Sequence, residues 1–503
     1  MRCMAFKTRM ALTALLSGTA LAGMVPTAAH AQTAREIELE TRLKALEAAV
    51  QDLRGELNAA RATASAAPSS SPAASSPSPS SPGAGSPAIA PTEVVSSPTA
   101  PQPTAPQSNG PSTATALAGS KPTTPATAST DGFKVAGTTV KLNGFIKTYA
   151  SVSRYSGGNI APESVGRDFY YPSMTPVGGR NEGNSVEGHA KQTRLVLSTE
   201  TPIAGHTLKG LVELDFQVVP GTQGNQRATN GYDLGLRRAF FVYDDWLFGQ
   251  EWSNFQYTGA LPETTDLIGP TEGTVFVRQP QIRYTRKLSD ALSLSVAAEN
   301  PETSSTSVAS ATIVENADDR LPDVTARLNY KTAFGEFSLA GLARKLTIDT
   351  GALNESATGW GVSFAGKVPL DEDGRSDIRF MVTHGDGIGR YVGLNLAPDA
   401  VFVPLVGMRL QTPSLTAGFA ALKLGWTDKL RSTFTGSVQG IDYPTGAEPI
   451  GASDSTWSAS ANLFYSPIKA VDLGVEFRHA ERTLVDGEVG KMDRGEFAAR
   501  YSF

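Results

Sequence analysis

Cysteine is almost absent from this 503-residue chain: there is one, Cys3. That excludes a disulfide framework and paired-thiol chemistry. Histidine is nearly as sparse, with five. Of these, His189, His206, His384 and His479 are scattered, with no pair at metal-ligand spacing, so neither a metal site nor a cofactor is expected. Charge is thin, at 18% of residues, and the net charge is -5. It becomes -8 once Arg2, Lys7 and Arg9, three basic residues, leave with the leader described next. Such a balance argues against a nucleic-acid partner. Past the leader no apolar run reaches the roughly 18 residues of a membrane helix, which leaves a closed β-barrel as the route into a bilayer.

The order of what is present is informative. Arg2, Lys7 and Arg9, the apolar "MALTALLSGTALAGM" and "AHA" ending at Ala31 read as a signal peptide over residues 1-31. Its removal takes Cys3 and His30 with it. In the segment 35-62, Leu39, Leu43, Leu46, Val50, Leu53 and Leu57 alternate spacings of four and three among good helix formers. That is the a/d seam of a coiled coil. Residues 63-131 are dominated by Pro, Ser, Ala and Thr and have no means of burying a core, so they read as a disordered linker.

Residues 132-503 change character. "KGLVELDFQV" sets Val212, Leu214, Phe216 and Val218 opposite Glu213, Asp215 and Gln217. "DVTARLNYK", "TWSASANLFY" and "VDLGVEFRH" alternate in the same way, with one apolar face and one polar face. The final "RGEFAARYSF" places Phe497, Ala499, Tyr501 and Phe503 on one face, as a closing strand with an interfacial aromatic would. About sixteen such strands fit. The connections between them read as alternating long and short throughout, the long ones including 151-189, 252-279 and 301-320. Long outer loops, short periplasmic turns and an even strand count describe an all-β, antiparallel transmembrane barrel of porin size.

Specific strings sharpen this. "LNGFIK", "KQTRLVLST", "GQEWSNF", "LPETTDLIGP", "VFVRQPQIRYT", "TGWGVSFAGK" and "HGDGIGRYVGLN" together resemble the DcaP-like outer-membrane porin family over about residues 133-503. The resemblance implies a homotrimer of barrels in outer-membrane lipid, a periplasmic coiled coil, and uptake of small anionic solutes, dicarboxylates in particular. The long Pro/Ser/Ala linker departs from that pattern.

A porin needs no catalytic residue, and its chemistry is the electrostatics of a wet passage. By alternation, Lys147, Arg194, Arg283, Arg327, Arg344, Arg379, Arg431 and Arg478 face the lumen. The arginine fork matches a carboxylate and stays charged at every working pH. Each of these residues, taken singly, also reads as a wall residue paired with a neighbouring carboxylate. The segment Trp252 to Pro280 lies where trimeric porins fold a loop inward. Glu263, Asp266 and Glu272 would then oppose the basic wall, with Arg278 joining it at the loop's return.

Three look-alike motifs carry no such weight. "HGDGIGR" lacks the strand-to-helix context of a dinucleotide site. "DEDGRSD" lacks the last glutamate of a calcium loop. No Gly-x-Ser-x-Gly elbow occurs in the barrel. Two other classes compete with a channel: an outer-membrane enzyme, and an envelope tether or adhesin whose coiled coil and linker reach peptidoglycan or another envelope component.

Overall fold

Alternation of exposed and buried side chains from Ile146 onward marks the first long strand, β1 (Thr138–Tyr155). Lys147, Tyr149, Ser151, Ser153 and Tyr155 are buried on one side, while Leu142, Ile146 and Val152 stand more than half exposed on the other. Period-two geometry makes this a two-faced wall, with its apolar face outward. The computed structural model describes residues 132-162, 164-217, 231-349, 354-403 and 409-503. The expected signal peptide, coiled coil and linker lie outside the described residues.

The second strand, β2, comes in two pieces, Gly183–His189 and Arg194–Ile203, which pair with successive halves of β1. Then follow β3 (His206–Asp215), β4 (Gly235–Tyr243), β5 (Trp246–Trp252), β6 (Arg278–Lys287) and β7 (Leu292–Glu299). Next come β8 (Asp323–Thr332), β9 (Gly335–Asp349), β10 (Asn354–Pro369), β11 (Asp377–Asp386) and β12 (Ser414–Gly425). The last four are β13 (Leu430–Asp442), β14 (Ser453–Ile468), β15 (Val471–Leu484) and β16 (Val489–Ser502).

Each strand pairs antiparallel with its neighbour in sequence, and β16 pairs with β1 from Ser502–Phe145 to Met492–Tyr155. Phe503 and Gly144 exchange two backbone hydrogen bonds of 3.1 Å beyond that ladder. The sheet is therefore a closed ring of sixteen strands, which satisfies its backbone polar groups internally as a bilayer demands. Phe497, Tyr501 and Phe503 are exposed on its outer face.

Two expectations are corrected. The strict long-short alternation of connections fails at two places, because β9 runs on to Asp349 before β10 starts at Asn354, and β15 reaches Leu484 before β16 starts at Val489. Both hairpins extend their ladders where the sequence pattern had suggested open loop.

The inner face is also not uniformly polar. Ala340, Leu342, Ala365, Met381, Leu415, Ala417, Phe419 and Ile441, on β9 to β13, are buried inward. They cluster with Phe255, Ala260 and Val275 from the β5–β6 connection and with Ile388, Tyr391, Val392, Leu396 and Ala397 from the β11–β12 connection. Two inward segments thus have an apolar seat on one half of the wall, and this burial is their main driving force.

Candidate functional site

The β5–β6 connection, residues 253-277, follows the inner wall outward and back. On its outward course the Gln256 carbonyl accepts from Arg327 on β8, and the Tyr257 hydroxyl donates to Glu336 on β9 at 3.2 Å. The Leu261 carbonyl accepts from Arg379 on β11 at 2.5 Å. Glu263 receives Arg431 of β13 in a two-pronged ion pair of 2.7 and 2.6 Å, and its carbonyl accepts from Asn462 of β14 at 2.7 Å. At the tip, Thr265 meets Glu476 of β15, Glu496 of β16 and Lys147 of β1.

The return course is held by Glu272 against Ser437 of β13 and by Gly273 against the backbone of Gly418 on β12. It then zips onto the β11–β12 connection through a Val275–Val392 bridge and the Phe276 N–H donating to the Tyr391 carbonyl at 2.9 Å. Asp266 shapes the tip by accepting from the Thr264 hydroxyl and from the Ile268 and Gly269 N–H groups. That is the ordinary work of an aspartate in a turn.

The β11–β12 connection is anchored by a buried polar knot. The Tyr391 hydroxyl donates to Asp323 at 2.8 Å and accepts from Gln279 at 2.8 Å. Arg344 lies fully buried between Asp323 (3.3 Å) and Asp399 (2.8 Å), with its plane 5.3 Å from the Tyr391 ring. Such a network holds because each charge is paired and hydrogen-bonded.

Lys147, Arg194, Arg283, Arg327, Arg344, Arg379, Arg431 and Arg478 lie on the inner side of their strands, and their partners divide them. Arg194 pairs with Glu213 (3.1 Å) and Asp215 (2.8 Å), and Arg344 is in the knot. Arg379 pairs with Asp377 at 2.6 Å, Arg431 with Glu263 and Asp472, and Arg478 with Glu476 at 2.9 Å. Lys147 donates to Gln192 and to the Thr265 carbonyl.

Arg278, Arg283 and Arg327 differ. No carboxylate lies within 4.0 Å of any of the three among the described residues. Arg278 stacks 4.4 Å over Trp252, and its Nη1 has no hydrogen-bond partner, nor does Arg327 Nε. These three stand on β6 and β8, beside the start and end of the inward loop, whose Gln256 carbonyl accepts from Arg327.

The loop carboxylates are turned toward the wall or toward their own backbone. Glu263 is committed to Arg431, and Asp266 Oδ1 to the tip. Glu272 is fully buried with Oε2 unpartnered, and burial pushes its carboxyl above the usual range against the pull of Arg478 and Ser437.

Sequence reasoning missed several members. A register shift at Glu213/Leu214 turns both Arg237 and Arg238 inward, to Asp215 (2.6 Å) and Glu213 (2.7 Å). The consecutive arginines in "GLRRAF" break the alternation and were the visible sign of that bulge. Thr265, Tyr391 and Arg494 gave no comparable signal.

The family described as DcaP outer membrane protein matches residues 125–503. Among solved structures, the outer membrane channel DcaP of Acinetobacter baumannii is similar at 26% identity and a TM-score of 0.60, covering 74% of this chain and 99% of that one. OmpT of Vibrio cholerae is similar at 11% identity and a TM-score of 0.46, covering 74% and 100%. An anion-selective porin from Comamonas acidovorans is similar at 9% identity and 0.45, covering 73% and 100%. No curated protein matches the chain.

Proposed function

The chain belongs to the DcaP outer membrane protein family, and from that premise we propose that it passes small organic anions, dicarboxylates among them, through a passage narrowed by residues 253-277. It is a porin-like channel of a Gram-negative outer membrane, not an enzyme. The observation that carries the anion preference is the trio Arg278, Arg283 and Arg327, whose guanidinium groups lack a carboxylate partner on a wall where most other cations have one. An uncompensated guanidinium in a confined passage attracts anions and offers a carboxylate two parallel donors. The inward loop reduces the open width and turns its own carboxylates away from them, Glu263 to Arg431 and Asp266 to the tip.

Assembly as a trimer fits the outer wall. Ala150, Gly188, Ala459, Ala461, Gly495 and Ala499 face outward on β14 to β2 and let a neighbouring barrel approach closely. The N-terminal heptads would then sit together in the periplasm, joined to the barrel by the linker.

The reversal potential of the purified protein in a planar bilayer under a KCl gradient tests this. A chloride-favouring potential with current closing in three equal steps supports both proposals. A cation-favouring potential overturns the anion reading.

A further inference from the structure

Thr265, at the tip of the inward loop, is fully buried where three wall strands meet. Its N–H donates to Glu476 Oε2 at 2.9 Å, and its carbonyl accepts from Lys147 Nζ. Its Oγ1 lies within hydrogen-bonding distance of two carboxylates, Glu476 Oε2 at 3.4 Å and, closer, Glu496 Oε2. Glu476 and Glu496 face each other directly in the β15–β16 register, and both are nearly fully buried.

A hydroxyl has one proton to donate. With both carboxylates ionised, one of the two Oγ1 contacts sets oxygen against oxygen with no proton between them. Charge compensation is uneven too. Arg478 pairs with Glu476 Oε1 at 2.9 Å, whereas Glu496 has no ion pair within 4.0 Å among the described residues. Glu496 Oε1 also lacks a hydrogen-bond partner.

The surrounding groups do not make up the difference. On the same strand, Arg494 donates to Ser153 Oγ, the Tyr155 hydroxyl and the Gly166 carbonyl. On β1, Lys147 is turned to Gln192 and the loop carbonyl, and the Tyr149 hydroxyl neighbours Glu496 without closing a well-formed hydrogen bond. From the loop, Asp266 adds a third carboxylate, with Oδ2 unpartnered. A proton on Glu496 resolves the arrangement. Glu496 then donates to Thr265 Oγ1, and Thr265 passes its own hydrogen bond on to Glu476.

We infer that Thr265 is the positioning residue of the inward loop and that one proton, shared along Glu496, Thr265 and Glu476, fastens it. Acid closes this latch, and alkali loosens it by setting two opposed carboxylates against each other. The inference rests on reading residues 253-277 as the segment that narrows the passage.

Open-channel current noise of the full-length protein, recorded in bilayers from about pH 5 to about pH 9, tests it. The native channel should grow noisier by about threefold toward alkaline pH. Glu496→Gln, whose amide always has a proton to donate, should stay quiet throughout, and Thr265→Ser should behave as native. A native channel whose noise does not change with pH, or an E496Q channel that keeps the native response, overturns the latch. Reversal potentials from the same records separate the two readings. A cation-favouring potential with intact pH-dependent noise removes the anion preference and leaves the latch standing.

Discussion

Glu263 and Arg431 lie 168 positions apart, yet their side chains meet in a two-pronged ion pair of 2.7 and 2.6 Å that ties the inward loop to β13. Both are mostly buried, so the pair is little screened by solvent. Removing one partner strands a charge in that site. Arg431→Ala is expected to raise local opening of the loop by about tenfold, roughly 1.4 kcal/mol. Hydrogen exchange of the 258-268 segment measures this, and unchanged protection there would refute it.

The partnerless guanidinium groups make a prediction about permeation. Arg283→Gln and Arg327→Gln should each lower the anion-to-cation permeability ratio by about twofold, with larger loss in the double variant. Lys491→Gln removes an exposed cation from the outer wall, where it pairs with Glu481 at 2.6 Å, and should leave the ratio unchanged. Equal effects from all three would mean that overall charge, not the lumenal trio, sets selectivity.

Glu272 gives a pH dependence with a definite sign. Its carboxyl is raised by burial, so the folded protein favours the protonated form more than the unfolded chain does. Its favourable contribution is complete below the ordinary glutamate value and is lost as pH rises through the higher folded one. Glu272→Gln should therefore stabilise the loop's return course near pH 7, by about 1 kcal/mol, and have little effect near pH 4. Thermal unfolding of the two proteins at both pH values checks this. Equal shifts at both would assign the effect to something other than ionisation.

Gly273 makes a packing prediction. A Cβ built there would lie 2.4 Å from the Gly418 carbonyl oxygen on β12, a contact that only backbone movement relieves. Gly273→Ala should lift the return course off the wall at a cost of about 1–3 kcal/mol. Single-channel conductance should change while the ring itself persists, as judged by heat-modifiable migration. A native conductance would show that the loop absorbs the methyl group without moving.

Much of the ring was legible in the sequence because β-strands write their two faces into a period of two. "VDLGVEFRH" settles which side of β15 meets lipid, and Arg478 and Glu476 point inward as that pattern requires. What did not show was the pairing of side chains brought together only when the ring closes. Arg431 looks identical in the sequence whether it faces water or Glu263. Arg237 turns inward through a bulge that breaks the period the reading relies on. Leu415 and Phe419 are apolar positions on the inward face of β12, where the loops hide them from water. The loop's path depends on contacts with strands from β7 round to β1, most of them far from it in the chain.

That path has a mechanical consequence. An empty cylinder resists flattening only through the stiffness of its hoop of hydrogen bonds. Here residues 253-277 touch strands from β8 round to β1, so they act as an internal strut fixed at both ends and along its length. If residues 253-277 narrow the passage as proposed, bore and rigidity are set by the same contacts. An engineer who trims the strut to widen the channel should expect a softer cylinder, and one who stiffens the cylinder by tightening those joints will narrow what it can carry.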